Sequence, residues 1–166
     1  GGAGDGTVTI DNGNTWTVTQ FIKIGDAGKG VVDLKSGTLD VLGASGSTKG
    51  IILADNNGSV GELIIGEPGG SGTADPIVNN SGGNFETALN GTGTVTMHSG
   101  TLNQNTNNLI VGQNATSNAT FTLNDGLVDI ANQLRVANNG TGLFVLNDGT
   151  VNVGRSLDVA NSPNGD

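Results

Sequence analysis

The chain of 166 residues has no cysteine, no tyrosine and only six basic side chains. Without thiols, neither disulfides nor thiolate metal sites are available. The six cations are Lys23, Lys29, Lys35, Lys49, Arg135 and Arg155; they face fifteen carboxylates, for a formal net charge of −9. No basic patch for a phosphate backbone can be assembled from them, so nucleic acid is not an expected partner and an anionic membrane surface is disfavoured. No apolar run approaches the ~18 residues of a membrane span, so membrane insertion is not expected. Aromatics are scarce: Trp16, Phe21, Phe85, Phe121 and Phe144 are the full set. Charged residues make up 13% of the chain, about half of the roughly 25% usual in soluble domains. Met97 is the one methionine, and no signal segment is visible. The expectation is therefore a chain that begins inside a longer precursor or after processing.

What is abundant is glycine, with 30 residues, alongside much Asn and Thr. The apolar residues are mostly Val, Ile and Leu in short alternating runs. A disordered chain would instead combine high charge with few β-branched residues. Short apolar strands separated by small polar turns predict an all-β protein.

The stretch Leu123-Asn124-Asp125-Gly126 returns as Leu146-Asn147-Asp148-Gly149, 23 residues later. Everything around it returns too: Phe121 on Phe144, Val128 on Val151, Ile130 on Val153, Leu134 on Leu157 and Val136 on Val159. Earlier copies supply Val95, Met97, Leu102, Leu109 and Val111; then Val32, Leu34, Leu39, Val41, Ile51 or Ile52, and Leu53; then Val8, Ile10, Trp16, Val18, Ile22 and Ile24. Each copy holds three alternating runs whose apolar residues can share one side, because successive strand residues face opposite ways. Three inward-facing strands per copy predict a β-solenoid: a right-handed, three-sided parallel β-helix of about 23–26 residues per coil. Residues 1–58 and 92–166 read as regular coils. Residues 59–91, with Pro68, Pro76 and glycine clusters, read as one irregular coil with a protruding loop. That segment is too short for a core of its own, so the chain is expected to be a single domain.

The pattern G-T-V-T-x-x-x-G-x-L/V-x-V followed by L-x-V-G/A-x-N resembles the autotransporter-associated β-strand repeats and related Gly/Asn/Thr-rich repeats of large bacterial surface proteins. The resemblance implies an extracellular or cell-surface passenger, adhesin or surface-layer role. It carries no catalytic residues to transfer.

Several residue sets are candidate sites. Asp125 and Asp148 could stack as neighbouring carboxylates and share a calcium ion. Their equivalents Asn12, Ser36 and Ser99 make no continuous acidic ladder, whereas Asn-Asp-Gly is good turn chemistry, so corner residues are the favoured reading. Gly1–Thr9 nearly spells a calcium-binding nonapeptide, but Asp5 stands one position early; Asp75, in GGSGTAD, stands one late. Calcium is thus a weak expectation and no other cofactor is implied. Polysaccharide chemistry needs clustered carboxylates, and the nearest set is the column Asp40, Asn103, Asp129, Asn152, flanked by Arg135, Asp158 and Arg155. The alternation of Asp with Asn, and an isolated His98, argue against an enzyme. Outward Thr pairs (Thr7/Thr9, Thr94/Thr96, Thr120/Thr122) form a ladder broken by Val31, Asp33, Leu143 and Val145, which disfavours binding to a flat lattice. Glycosylation sequons occur at Asn57, Asn79, Asn90, Asn114, Asn118 and Asn139 and suit an exposed extracellular surface.

A solenoid needs caps over its two open faces, and neither end of this sequence supplies a helix, a Pro-rich lid or a charged terminal coil. The final SPNGD followed by the initial GTVTI would read as an unbroken continuation. The expected partners are therefore copies of the chain, head to tail in a filament, or adjoining coils of a longer solenoid. The alternative is an adhesin or carbohydrate-binding module that meets glycans through the 59–91 bulge and the Asn/Thr faces.

Overall fold

The computed structural model describes residues 4–43, 48–69 and 75–160. They wind into six coils of three strands each, with no helix among the described residues. The first coil contains β1 (Asp5–Ile10), β2 (Thr15–Val18) and β3 (Ile22–Ile24). The last contains β16 (Thr141–Leu146), β17 (Thr150–Val153) and β18 (Leu157–Val159). Each coil contributes one strand to each of three six-stranded parallel sheets, and the strands stack in coil order. The three-sided β-solenoid is thus as the repeat predicts.

The register confirms the column assignments residue by residue. Phe121 lies on Phe144, Val128 on Val151, and Leu134 on Leu157. In the earlier coils Ile51, not Ile52, takes the inward column beside Ile22. In β13 (Asn118–Leu123), β14 (Leu127–Ile130) and β15 (Leu134–Val136), Phe121, Leu123, Val128, Ile130, Leu134 and Val136 are all buried. Alternation with a period of two produces this: each side chain pointing in is followed by one pointing out. The aromatic rings thicken one column. Phe121 stacks on Phe144 with centroids 4.9 Å apart and meets Phe85 edge-on at 6.5 Å.

Coil length departs from the expected range where loops are inserted. The strands opening successive coils begin at Asp5, Lys29, Val60, Thr92, Asn118 and Thr141, giving steps of 24, 31, 32, 26 and 23 residues. The second coil, read as regular, carries an insertion around residues 42–48. The third holds its insertion between β7 (Val60–Ile65) and β8 (Ile77–Asn80). Its third strand, β9 (Asn84–Glu86), was invisible in the sequence because its apolar content is Phe85 alone.

This coil also explains two polar residues in the core. Asn80 and Gln104 occupy inward columns that hold Val41 and Ile130 in neighbouring coils. Asn80 Nδ2 donates to Gln104 Oε1 at 2.7 Å and to the Gly83 carbonyl at 3.0 Å, while Gln104 Nε2 donates to the Gly83 carbonyl and to that of Thr106. Paired in this way, the two amides satisfy a turn that would otherwise bury free carbonyls. Thr87 follows β9 in an inward position and is fully buried; its hydroxyl finds no partner.

Candidate functional site: the two open ends

Asp125 and Asp148 occupy the corner after the first sheet. Each is exposed, and each carboxylate folds back onto the amide of the glycine that follows, at 2.6 Å for Gly126 and 2.7 Å for Gly149. Gly13, Gly37, Gly100, Gly126 and Gly149 all take positive φ at this corner, a conformation that glycine adopts without steric cost. The doubled Asn-Asp-Gly is therefore a corner with its own internal bonds. No group of three or more His, Asp or Glu side chains that could hold a metal occurs among the described residues. Of the nonapeptide-like stretches, residues 1–3 and 70–74 lie outside the described residues; Asp5 Oδ1 accepts from the Lys29 amide at 3.3 Å.

The column read as a possible polysaccharide site does form, with Asn79 between Asp40 and Asn103 and with Asp129 and Asn152 above. Its proposed basic flank is elsewhere. Arg135 and Asp158 belong to the third sheet, where they approach to 3.8 Å, and Arg135 donates twice to Gln133 Oε1. Within the column the amides bond one another: Asn103 to Asn79 at 2.8 Å and Asn79 to Asp40 at 2.7 Å. The same pattern runs along other corners, with Asn114 donating to Asn90, Asn132 to Asn108 and Asn147 to Asn124. In every one of these pairs the donor belongs to the later coil. His98 joins such a row, its Nδ1 lying 3.3 Å from Asn124 Nδ2.

The six sequons divide by geometry. Asn57, Asn118 and Asn139 are exposed and lie along one edge, just before or at the start of first-sheet strands. Asn79, Asn90 and Asn114 are half-buried, and each already donates its Nδ2, the atom that a glycan would take, to Asp40, to the Asp55 carbonyl and to Asn90 respectively. The Thr ladder reduces to two coils: Thr94 on Thr120 and Thr96 on Thr122, interrupted by Glu62 and Ile64 on one side and by Leu143 and Val145 on the other.

Two charged groups on the third sheet sit in unusual surroundings. Lys23 bridges Asp55 and Asp26, the latter at 3.1 Å, and these bonds raise its pKa, Asp55 contributing most. Glu86 lies in the outward column between Ile52 and Ile110 and is only 8% exposed. Burial pushes its carboxyl above the usual range, opposed by a hydrogen bond from Asn84 and by the charge of Lys49.

Two apolar openings lie at the ends of the stack. At the last coil, a concavity of about 490 Å³ is lined by Leu134, Val136, Phe144, Leu146, Val151, Val153, Leu157 and Val159. At the first coil, one of about 510 Å³ is lined chiefly by Val8, Trp16, Val18, Phe21, Ile22 and Ile24. Both are cross-sections of the core itself. The strands bounding them, β1 to β3 and β16 to β18, are the outer strands of their sheets, each with one unpaired edge. Sequence reasoning expected uncapped ends, and the continuation drawn from the final SPNGD falls on residues outside those described. Gly6, which the sequence reading did not single out, sits on β1 in a column of glycines broken by Ala119. Comparison of the chain with family models, with curated proteins and with solved structures finds no match.

Proposed function

We propose that the chain is a structural, extracellular or cell-surface β-solenoid that stacks end to end into a filament or forms part of a longer solenoid. The observation that carries this reading is the pair of apolar mouths, each ringed by strand edges with no partner among the described residues. Such edges and apolar cross-sections favour another strand layer over water. The surface location rests on the resemblance of the repeats and on the exposed sequons. No catalytic group and no cofactor belong to the reading: its only chemistry is backbone pairing and apolar burial.

Trp16, the only tryptophan, reports on the first mouth directly. Raising the concentration of the isolated chain should give larger species in sedimentation velocity, fibres in micrographs and a blue shift of Trp16 emission. A chain that stays monomeric at high concentration, without fibres and with unchanged emission, overturns the stacking form.

A second reading, an adhesin or carbohydrate-binding module, draws on one feature. The polar row Asp40–Asn79–Asn103 faces outward on the second sheet, in the coils with long connections between Val41 and Lys49 and between Ile65 and Ile77. Glycan-array binding that disappears in the Asn79→Ala/Asn103→Ala variant, with the fold intact, supports it; no glycan bound by the native chain ends it.

A further inference from the structure

We infer that the partner at each mouth is a second copy of this chain, docked in one register: Gly6 of its first coil over Gly142 of the last coil. This rests on the stacking reading above and specifies its contact. The three strands of the first coil have 6, 4 and 3 residues, and so do the three of the last. Continuing the observed register by one step places Asp5 on Thr141, Val8 on Phe144, Thr17 on Asn152, and Lys23 on Asp158. Each core column continues with an apolar residue. The outward column of the third sheet, which begins at Lys23 and ends at Asp158, meets itself with opposite charges.

Gly6 supplies the independent argument. Inside the stack, glycines of its column are required by crowding. A Cβ on Gly61 would lie 2.3 Å from the Ile24 carbonyl oxygen, and one on Gly142 would lie 2.2 Å from that of Val111 and 2.5 Å from the Ala137 amide nitrogen. A Cβ on Gly6 would meet nothing within 4 Å. Nothing among the described residues asks for glycine there. Below a docked copy, the missing atoms are present. Ala160 repeats the corner geometry of Ala137, with the same φ of 57° and the same 2.8 Å bond to the coil beneath, here to the Val136 carbonyl. The Val136 carbonyl and the Ala160 amide then crowd Gly6 of the next copy as Val111 and Ala137 crowd Gly142. One coil, the fifth, fits Ala119 in this column, so the substitution that tests the contact must be larger than alanine.

The decisive variant is Gly6→Val in the full chain. On a strand, valine is well accommodated, so dilute samples should keep the native circular dichroism and unfolding transition, while self-association falls at least tenfold in sedimentation velocity. Register is read separately by mixing Thr17→Cys chains with Asn152→Cys chains under mild oxidation, since a disulfide needs Cα atoms within about 7 Å. Cross-linking is expected for this pair and not for Thr17→Cys with Asp129→Cys, one coil removed. If Gly6→Val associates like the native chain, or if association proceeds without the Thr17–Asn152 cross-link, this register is wrong while stacking stands. If the native chain does not associate at all, the stacking reading falls and takes this inference with it.

Discussion

The first and last coils are built from the same three strands, yet they protect the same columns unequally. Ile10 and Ile24 at the first end are 5% and 2% exposed; Leu146 and Val159, their column partners at the last end, are 52% and 67% exposed. Strand geometry is the same at both, so the difference lies in the side chains around the mouth. Trp16 occupies the column that Val151 holds at the other end, and Phe21 stands beside it with its ring 5.9 Å from Lys49 Nζ. Two aromatic rings line the first opening. The last opening is rimmed by aliphatic side chains around Phe144, none with the reach to close it. The two ends therefore differ in the side chains that line them, aromatic at the first and chiefly aliphatic at the last.

The sharpest way to break this comparison is to truncate both ends equally. Ile10→Ala should cost the unassembled chain about 2–4 kcal/mol, whereas Leu146→Ala, already half in water, should cost under about 1 kcal/mol in denaturant titration. Equal losses would show that the ends do not differ in the way their exposure indicates. On assembly the second value should rise toward the first, since docking buries Leu146.

The interior gives the reference for both ends. Thr87→Val removes a buried hydroxyl that has no partner and keeps the shape of the side chain. It should stabilise the chain by about 1 kcal/mol, and the gain, read from thermal unfolding, should be the same in dilute and in associated samples. A gain that appeared only on association would move Thr87 from the interior to the influence of an end.

Glu86 offers the smallest and most selective effect. Because its folded pKa is raised, the folded state binds the proton more tightly than the unfolded one does, and stability falls as pH rises through the ordinary glutamate value and on through the folded one. Glu86→Gln should therefore be more stable than the native chain at neutral pH, and the gap should close as pH falls below the ordinary value. Unfolding midpoints across pH 3–8 check this. Lys23 behaves with the sign of a cation whose folded pKa is raised: its contribution is fully present below the unfolded pKa and is lost as pH climbs through the folded one.

Much of this architecture was legible in the chain because a parallel stack repeats its grammar. Phe121, Leu123, Val128 and Ile130 announce their columns through their copies at Phe144, Leu146, Val151 and Val153. The corner at Asp125 and Asp148 was readable because Asn-Asp-Gly states its turn locally. What escaped was whatever the repeat does not constrain. The insertion after β5 (Thr38–Val41) alters no column, so the second coil looked regular; β9 carries too little apolar residue to announce a strand. Asn80 and Gln104 stand in inward positions by parity alone, and polar identity masked them. Arg135 is near Asp129 in sequence and Asp158 near Asn152, but the turns at residues 131–133 and 154–156 carry them onto another face. Gly6 could not be read as meaningful without the coordinates, since its significance is the empty space around it.

The asparagine rows have one more consequence. In each pair of these outward rows the amide nitrogen points toward the first coil, so their small dipoles add along the axis, while the buried Asn80–Gln104 pair runs the other way. Lys23 at one end and Asp158 at the other have the same sense. The rod is therefore electrically directional: two copies meeting through like ends would oppose their fields, while copies in line would reinforce them. Any fibre made in that way would itself have a sense of direction, with two chemically different tips that grow at different rates.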